Sequence, residues 1–308
     1  MLSEFIKEKS LDHSFIKTAK DYFIPLAEKL AKNQKQHFNL AKTSSYSEHS
    51  KTYFVGINGC QGSGKSTLVD FLAKYLEQNH HVCVAVLSLD DFYLSQSERN
   101  ELAMNVHPLF KTRGVPGTHD TRLLTKTLSD LKNNRNSGVS LPRFNKAQDE
   151  ILPSKYWPVV DTAVDIVLFE GWCWGVPAQQ IDDLALSVNE LESKQDQQLI
   201  WRTKVNNILL TDYQPLYKLM DTWVMLKAPS FECVYQWRLE QEHKLSDSHL
   251  DRSPHNDCSD NIMSDEQIAM FILYYQRLTE YGLEVLPSEV DLLFELDNQR
   301  KIIVSKGL

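Results

Sequence analysis

The chain has 308 residues, 42% of them apolar and 24% charged, enough for one large domain with a proper core. Its 33 basic side chains against 41 acidic ones leave a net charge of −8, which argues against a general nucleic-acid or anionic-membrane surface. No apolar run reaches the length of a membrane span, and five scattered cysteines without a C-x-x-C pair exclude a structural zinc framework and suit a reducing cytoplasm.

The first fourteen residues, MLSEFIKEKSLDHS, mix charged with apolar side chains and read as neither a secretory signal nor an anchor. Between residues 13 and 32, Phe15, Ile16, Ala19, Phe23, Leu26 and Leu30 share one helical stripe that Pro25 interrupts, so a kinked or broken amphipathic helix is expected. The polar stretch KTSSYSEHSK follows as a linker, making residues 1–50 a helical extension ahead of the main domain, 51–308.

TYFVGI reads as a strand, and Gly59 to Ser66 then fits G-x-x-x-x-G-K-[ST], with Thr67 as a second hydroxyl. Leu68, Phe71, Leu72 and Tyr75 recur at helical spacing, completing the strand, loop and helix that a phosphate-binding loop needs. Glycines let the backbone turn its N–H groups inward, and the start of the helix adds its positive dipole end. Gly59, Cys60, Gln61, Gly62, Ser63, Gly64, Lys65, Ser66 and Thr67 are therefore the expected nucleotide-binding set. Lys65 is to reach the β- and γ-phosphates, and the Ser66 hydroxyl is to coordinate Mg²⁺. Cys60 is either a redox-sensitive thiol or a small apolar filler, with the filler favoured.

VCVAVLSL (82–89), VDIVLFEG (164–171) and TWVMLKA (222–228) are apolar runs without alternation, expected as strands buried on both faces of a parallel sheet. The first ends in Asp90 and Asp91 and the second in Glu170, so these acids are placed at carboxyl ends, where open α/β sheets bind ligands. Two segments between them, KTRGVPGTHD (111–120) and LPRFNKAQDE (141–150), read as loops in which cations sit beside glycine or proline. Arg113 and Arg143 there suit an anionic acceptor through their forked donors. A helix from about Ser230 carries Arg238, a candidate to close over phosphate, and a mobile lid is expected over about 238–263. Ser264 with Gln267 forms a capping box for a last helix, and VDLLFEL and KIIVS close the chain as short strands around DNQR. The expected class is α/β, a P-loop fold with a parallel sheet flanked by helices.

A bound nucleotide can serve a switch, a motor or a phosphoryl transfer. FNKAQD only approximates the N-K-x-D that reads guanine and lies before the Glu170 strand, so ATP is preferred over GTP. A small-molecule kinase needs an acid for the acceptor hydroxyl, a metal shell, cations on the transferring group and a lid, and candidates for each are present.

Seven ordered motifs, GINGCQGSGKST, LSLDDFYL, RGVPGTHD, LPRFNKA, LFEGWCWG, APSFECVYQWRLEQE and MSDEQI, together resemble the P-loop D-glycerate 3-kinases of plant and yeast type. That family is similar in fold to uridine kinase, pantothenate kinase and phosphoribulokinase. The resemblance implies MgATP-dependent phosphorylation of a small hydroxy acid, D-glycerate, with Asp90 as general base and metal contact, Lys65, Arg113 and Arg238 as catalytic cations, and Glu170 beside Ser66 at the metal. Asp91, Tyr93, Arg113, His119, Asp120, Arg143 and Lys146 are its implied substrate contacts. Asn145 departs from the aspartate common in PRFDKA, and DEILP replaces the basic residues that often follow. Nucleoside or pantothenate-like acceptors, and an ATP-gated binding protein, are the alternatives.

Overall fold

The computed structural model describes residues 1–43, 52–133, 138–250 and 264–308. Five apolar runs form parallel strands: β1 (Tyr53–Gly59), β2 (Val84–Ser88), β3 (Ile166–Gly171), β4 (Thr222–Lys227) and β5 (Leu292–Leu296). A sixth, β6 (Ile302–Lys306), returns antiparallel along β5, and the sheet order is β6-β5-β4-β1-β3-β2.

β1 and β3 are buried at every position, as their unbroken apolar sequence requires. β2 departs from that expectation. It is the edge of the sheet, and its residues alternate between buried and partly exposed. It also stops at Ser88, where the hydroxyl accepts from the Asp90 amide and turns Leu89–Phe92 into a 3-10 helix.

Because β1 lies between β3 and β4, successive crossovers run to opposite sides of it and open a crevice at its carboxyl end. The register sets Glu170 beside Ile57 on one flank and Ser88 on the other. The phosphate loop, Glu170 and the Asp90 turn therefore leave the sheet along one rim.

The predicted amino-terminal helix runs further than expected and breaks differently. Phe15–Thr18 leads into a π turn, Ala19–Phe23, and then α1 (Ile24–Thr43). Pro25 lacks the N–H that an α-helix would use, and the wider turn ahead of it redirects the carbonyls left without that donor. The same device recurs at Leu209–Tyr213, just before Pro215. Most of the predicted linker lies outside the described residues.

α2 (Lys65–His80) follows the phosphate loop and carries Phe71 into a cluster with Phe5, Phe15 and Phe23 at centroid distances of 5.5, 5.9 and 5.8 Å. Each such ring contributes roughly 1.5–3 kcal/mol on burial, so the extension is packed on the loop's own helix. α3 (Thr121–Asn133), α4 (Phe231–Leu250) and α5 (Asp265–Val285) complete the layers, and α5 opens with the predicted Ser264–Gln267 capping box. Much of the segment expected as a lid lies outside the described residues.

The 141–150 segment is not a plain loop. Phe144–Asn145 pairs antiparallel with Glu150–Ile151 in a small hairpin. The Asn145 side-chain oxygen accepts from the amides of Ala147 (3.0 Å) and Gln148 (3.2 Å), an Asx turn that either Asn or Asp can make.

Candidate active site

The phosphate loop is shaped by two glycines in left-handed backbone, Gly62 (φ 74°) and Gly64 (φ 90°), immediately before α2. A Cβ on Gly62 would strike Trp237, whereas one on Gly64 would meet open space, so the loop is backed on one side and open on the other. Cys60 is buried, and burial pushes its thiol up to about 12, in keeping with a small apolar filler.

Ser66 donates to Glu170 Oε1 at 3.0 Å, and Lys65 Nζ stands 3.8 Å from Oε2. Glu170 is buried at the end of β3, and its Oε2 has no hydrogen-bond partner among the described residues. An unsatisfied carboxylate oxygen beside a lysine and a serine hydroxyl is a suitable set for a hard cation held mainly by phosphate oxygens and water.

Asp90 emerges from the turn after β2 with Oδ1 accepting from Tyr93 (3.0 Å) and Oδ2 from Lys146 (2.6 Å). Burial by itself would raise this carboxyl, but Lys146 and Lys65 outweigh it and hold Asp90 well below the usual carboxylate range. Asp91 faces elsewhere. Its oxygens receive Arg143 (3.3 Å) and the Phe144 amide (3.2 Å), so it fastens the hairpin to the end of β2, and burial raises its carboxyl.

The RGVPGTHD segment zips to this turn through Leu94 N to Thr118 O (2.9 Å) and Asp120 N to Phe92 O (2.7 Å). His119 stacks on Tyr93 at 4.4 Å and shares a 2.7 Å hydrogen bond between Nδ1 and the Tyr213 hydroxyl. Its Nε2 is buried with no partner among the described residues, and burial lowers the ring to about 3, so the imidazole is neutral. Gly114 (φ 147°) passes so close to Tyr275 that a Cβ would lie 2.3 Å from the hydroxyl, and Trp172 Nε1 donates to its carbonyl at 3.1 Å.

Two expected substrate residues have other partners. The Asp120 side chain caps α3 by accepting from Arg122 N (3.1 Å) and Leu123 N (2.9 Å), which is why an aspartate precedes that helix. Arg113 pairs with Asp149 and lies 5.7 Å from the Phe144 ring. Arg238 stands 5.8 Å over the Phe271 ring on the neighbouring helix.

Residues 33–210, more than half of the chain, match the KAP family P-loop domain. An uncharacterized kinase of Schizosaccharomyces pombe is 34% identical over 257 residues, covering 79% of this chain and 85% of the other. The chloroplastic D-glycerate 3-kinase of Arabidopsis thaliana is 29% identical, covering 82% of this chain and 54% of that longer protein. The solved D-glycerate 3-kinase of Cryptococcus neoformans superposes with a TM-score of 0.72 at 28% identity, covering 91% of this chain and 98% of the other. The chain belongs to the KAP family of P-loop domains, and its relatives are kinases.

This kinase is an ATP-dependent phosphotransferase, and its site contains residues that the sequence did not single out. Arg300, in the turn between β5 and β6, donates to the Gly62 carbonyl at 2.7 Å, pairs with Glu240 at 2.8 Å and lies 5.0 Å over Trp237. Arg99 is buried beneath the hairpin and bonds Asp149 at 2.7 Å. Both sit in polar segments whose composition reads as solvated surface. Asp149 and Glu150 both have partners within the chain: Asp149 accepts from the two arginines and Glu150 from the Gln96 amide.

Proposed function

We propose that this kinase transfers the γ-phosphoryl group of ATP to the 3-hydroxyl of D-glycerate. The observation that carries the reading is Asp90, an ionised carboxylate at the sheet rim held between Tyr93 and Lys146, on the rim that also bears Lys65 and Glu170. The acceptor oxygen attacks the γ-phosphorus, the bond to the bridging oxygen breaks, ADP leaves, and the hydroxyl proton passes to Asp90. Phosphoryl transfer is loose, so a carboxylate of low basicity suffices when it orients the nucleophile and takes the proton late.

Lys65 neutralises the β- and γ-phosphates. Ser66 and Glu170 would hold Mg²⁺, with Asp90 within the same shell, and the ion would neutralise developing phosphate charge. Lys146 leaves Asp90 to meet the acceptor carboxylate, joined by Arg143, while Arg113 braces the hairpin from Asp149. The Nε2 of His119, without a partner among the described residues, is the polar group we assign to the acceptor's second hydroxyl. Asp91 positions the hairpin rather than the substrate, and Arg238 supplies the closing cation. No helix among the described residues is long and apolar enough to cross a membrane. The five scattered cysteines of the sequence, without a paired spacing, favour a reducing, cytoplasmic setting.

The test is ADP release from MgATP with D-glycerate, L-glycerate, uridine, pantothenate or no acceptor, with the product identified by phosphorus NMR. Stimulation by D-glycerate alone, with 3-phosphoglycerate formed, is the expected result. Equal release with and without every acceptor overturns the glycerate assignment.

A further inference from the structure

Tyr213 closes the π turn that precedes Pro215, fully buried, and its hydroxyl lies 2.7 Å from His119 Nδ1. That is the hydroxyl's one partner among the described residues, and the ring's Nε2 has none. We propose that Tyr213 is a positioning residue that fixes His119 as an Nε2–H donor, so that the acceptor site takes 3-hydroxy acids bearing an oxygen at C2 and rejects those bearing an ammonium there. The inference rests on the reading of Nε2 as the group that meets the acceptor's second hydroxyl.

Counting hydrogens carries it. The imidazole is neutral and has a single N–H, and the tyrosine keeps its proton because burial raises it well above its usual range. If Nδ1 held the ring hydrogen it would donate to the Tyr213 oxygen, and two buried groups would go unmet, the tyrosine O–H and the Nε2 lone pair. If Tyr213 donates to a bare Nδ1, only the Nε2–H goes unmet. Buried polar groups without partners are costly, so the second arrangement is favoured.

The ring is also held at the rim. Tyr93 stacks on it at 4.4 Å, pairs with His119 in an antiparallel bridge, and donates to Asp90 Oδ1 at 3.0 Å. The imidazole therefore stands one ring away from the proposed base, near enough for the Asp90 charge to favour a second proton that burial denies it. With the 3-hydroxyl at Asp90, the substituent on the adjacent carbon falls to His119. A hydroxyl there offers Nε2–H an oxygen, whereas an ammonium offers only more donors. D-serine carries that ammonium where D-glycerate carries its hydroxyl, and 3-hydroxypropionate carries nothing polar.

The test labels the histidines with nitrogen-15 and reads both ring nitrogens of His119 near neutral pH, its signals assigned by their loss in His119→Gln. The expected spectrum has hydrogen on Nε2 and a bare Nδ1. A hydrogen on Nδ1 in the wild type overturns the inference, whatever the acceptor proves to be. The second arm measures D-glycerate, 3-hydroxypropionate and D-serine, each as acceptor and as inhibitor, in wild type and in Tyr213→Phe, with folding checked by thermal melting. D-glycerate is expected to exceed 3-hydroxypropionate about tenfold or more in kcat/KM, and its preference over D-serine to shrink about tenfold in Tyr213→Phe. An unchanged preference in folded Tyr213→Phe overturns the role of Tyr213 in specificity, and the wild-type spectrum keeps the test decisive if that variant does not fold. Phosphorylation of none of the three, with hydrogen found on Nε2, overturns the glycerate reading and the C2 selectivity resting on it, while the Tyr213–His119 arrangement stands.

Discussion

Lys146 sets its ammonium 2.6 Å from the Asp90 carboxylate, across 56 residues of chain. The pair shifts in the directions an ion pair dictates: burial opposes both charges, yet Asp90 is lowered and Lys146 is raised. Replacing Asp90 by Asn keeps the shape and removes the charge. Transfer is expected to fall about 10²–10⁴-fold, the worth of a positioned base, while ATP binding changes less than about threefold. ADP release and nucleotide titration on the same preparation measure both.

Lys146→Met removes the other half. Asp90 then rises toward an ordinary carboxylate, and an acceptor carboxylate loses a partner. The KM for the acceptor is expected to rise about tenfold or more, with the KM for ATP held within about twofold. Steady-state kinetics with each substrate varied in turn reads the split, and an equal rise in both constants would place Lys146 on the nucleotide instead.

Ser66 and Glu170 are joined by a 3.0 Å hydrogen bond, so each should act through the same ion. In Ser66→Ala and Glu170→Gln, the Mg²⁺ concentration for half-maximal activity is expected to rise about tenfold or more. Nucleotide binding in EDTA should barely move. A metal titration of activity and of nucleotide affinity checks both statements.

His119 makes stability depend on pH. Its folded value, about 3, lies below the ordinary 6.5, so below pH 6.5 the unfolded chain takes up a proton that the native ring refuses. Stability therefore falls as pH drops from 6.5 toward 3, with a slope of up to about 1.4 kcal/mol per pH unit from this residue. His119→Gln should lose less melting temperature than wild type between pH 6.5 and 4.5. Parallel melting curves would show that the ring is reached by solvent.

Gly114→Ala places a methyl group 2.3 Å from the Tyr275 hydroxyl at φ 147°. A cost of about 2 kcal/mol or more is expected, from backbone strain and overpacking together. Thermal unfolding of Gly114→Ala measures it, and relief in Gly114→Ala/Tyr275→Ala would trace the clash to that ring.

Local sequence revealed the strands, the phosphate loop and the acids at the rim because each is written in one contiguous stretch. Apolar runs named β1, β3 and β4, and Glu170, at the end of the β3 run, stands in register beside Ile57 and Ser88. Pairing between distant segments was not legible in the same way. Asp91 and Asp90 look alike in LDDFYL, yet one serves Arg143 and the other Lys146, a distinction fixed only when the hairpin docks. Asp120 looked like a ligand, and its capping role depended on where α3 begins. Pro25 correctly marked a break, but the π turn that absorbs it has no spacing signal of its own.

The hydrogen bond from Arg300 to Gly62 closes a loop of 238 residues. Contacts of such separation are made late in folding, after local helices and hairpins have formed, because the chain entropy of closure must be met first. The glycine-rich turn is thus an early local structure whose bracing arrives last. Severing the chain between α2 and β5 would leave strand, turn and α2 in sequence but remove what ties the turn in place. Nucleotide affinity in this protein accordingly reports on completion of the whole fold, and bound nucleotide in turn stabilises all of it against unfolding.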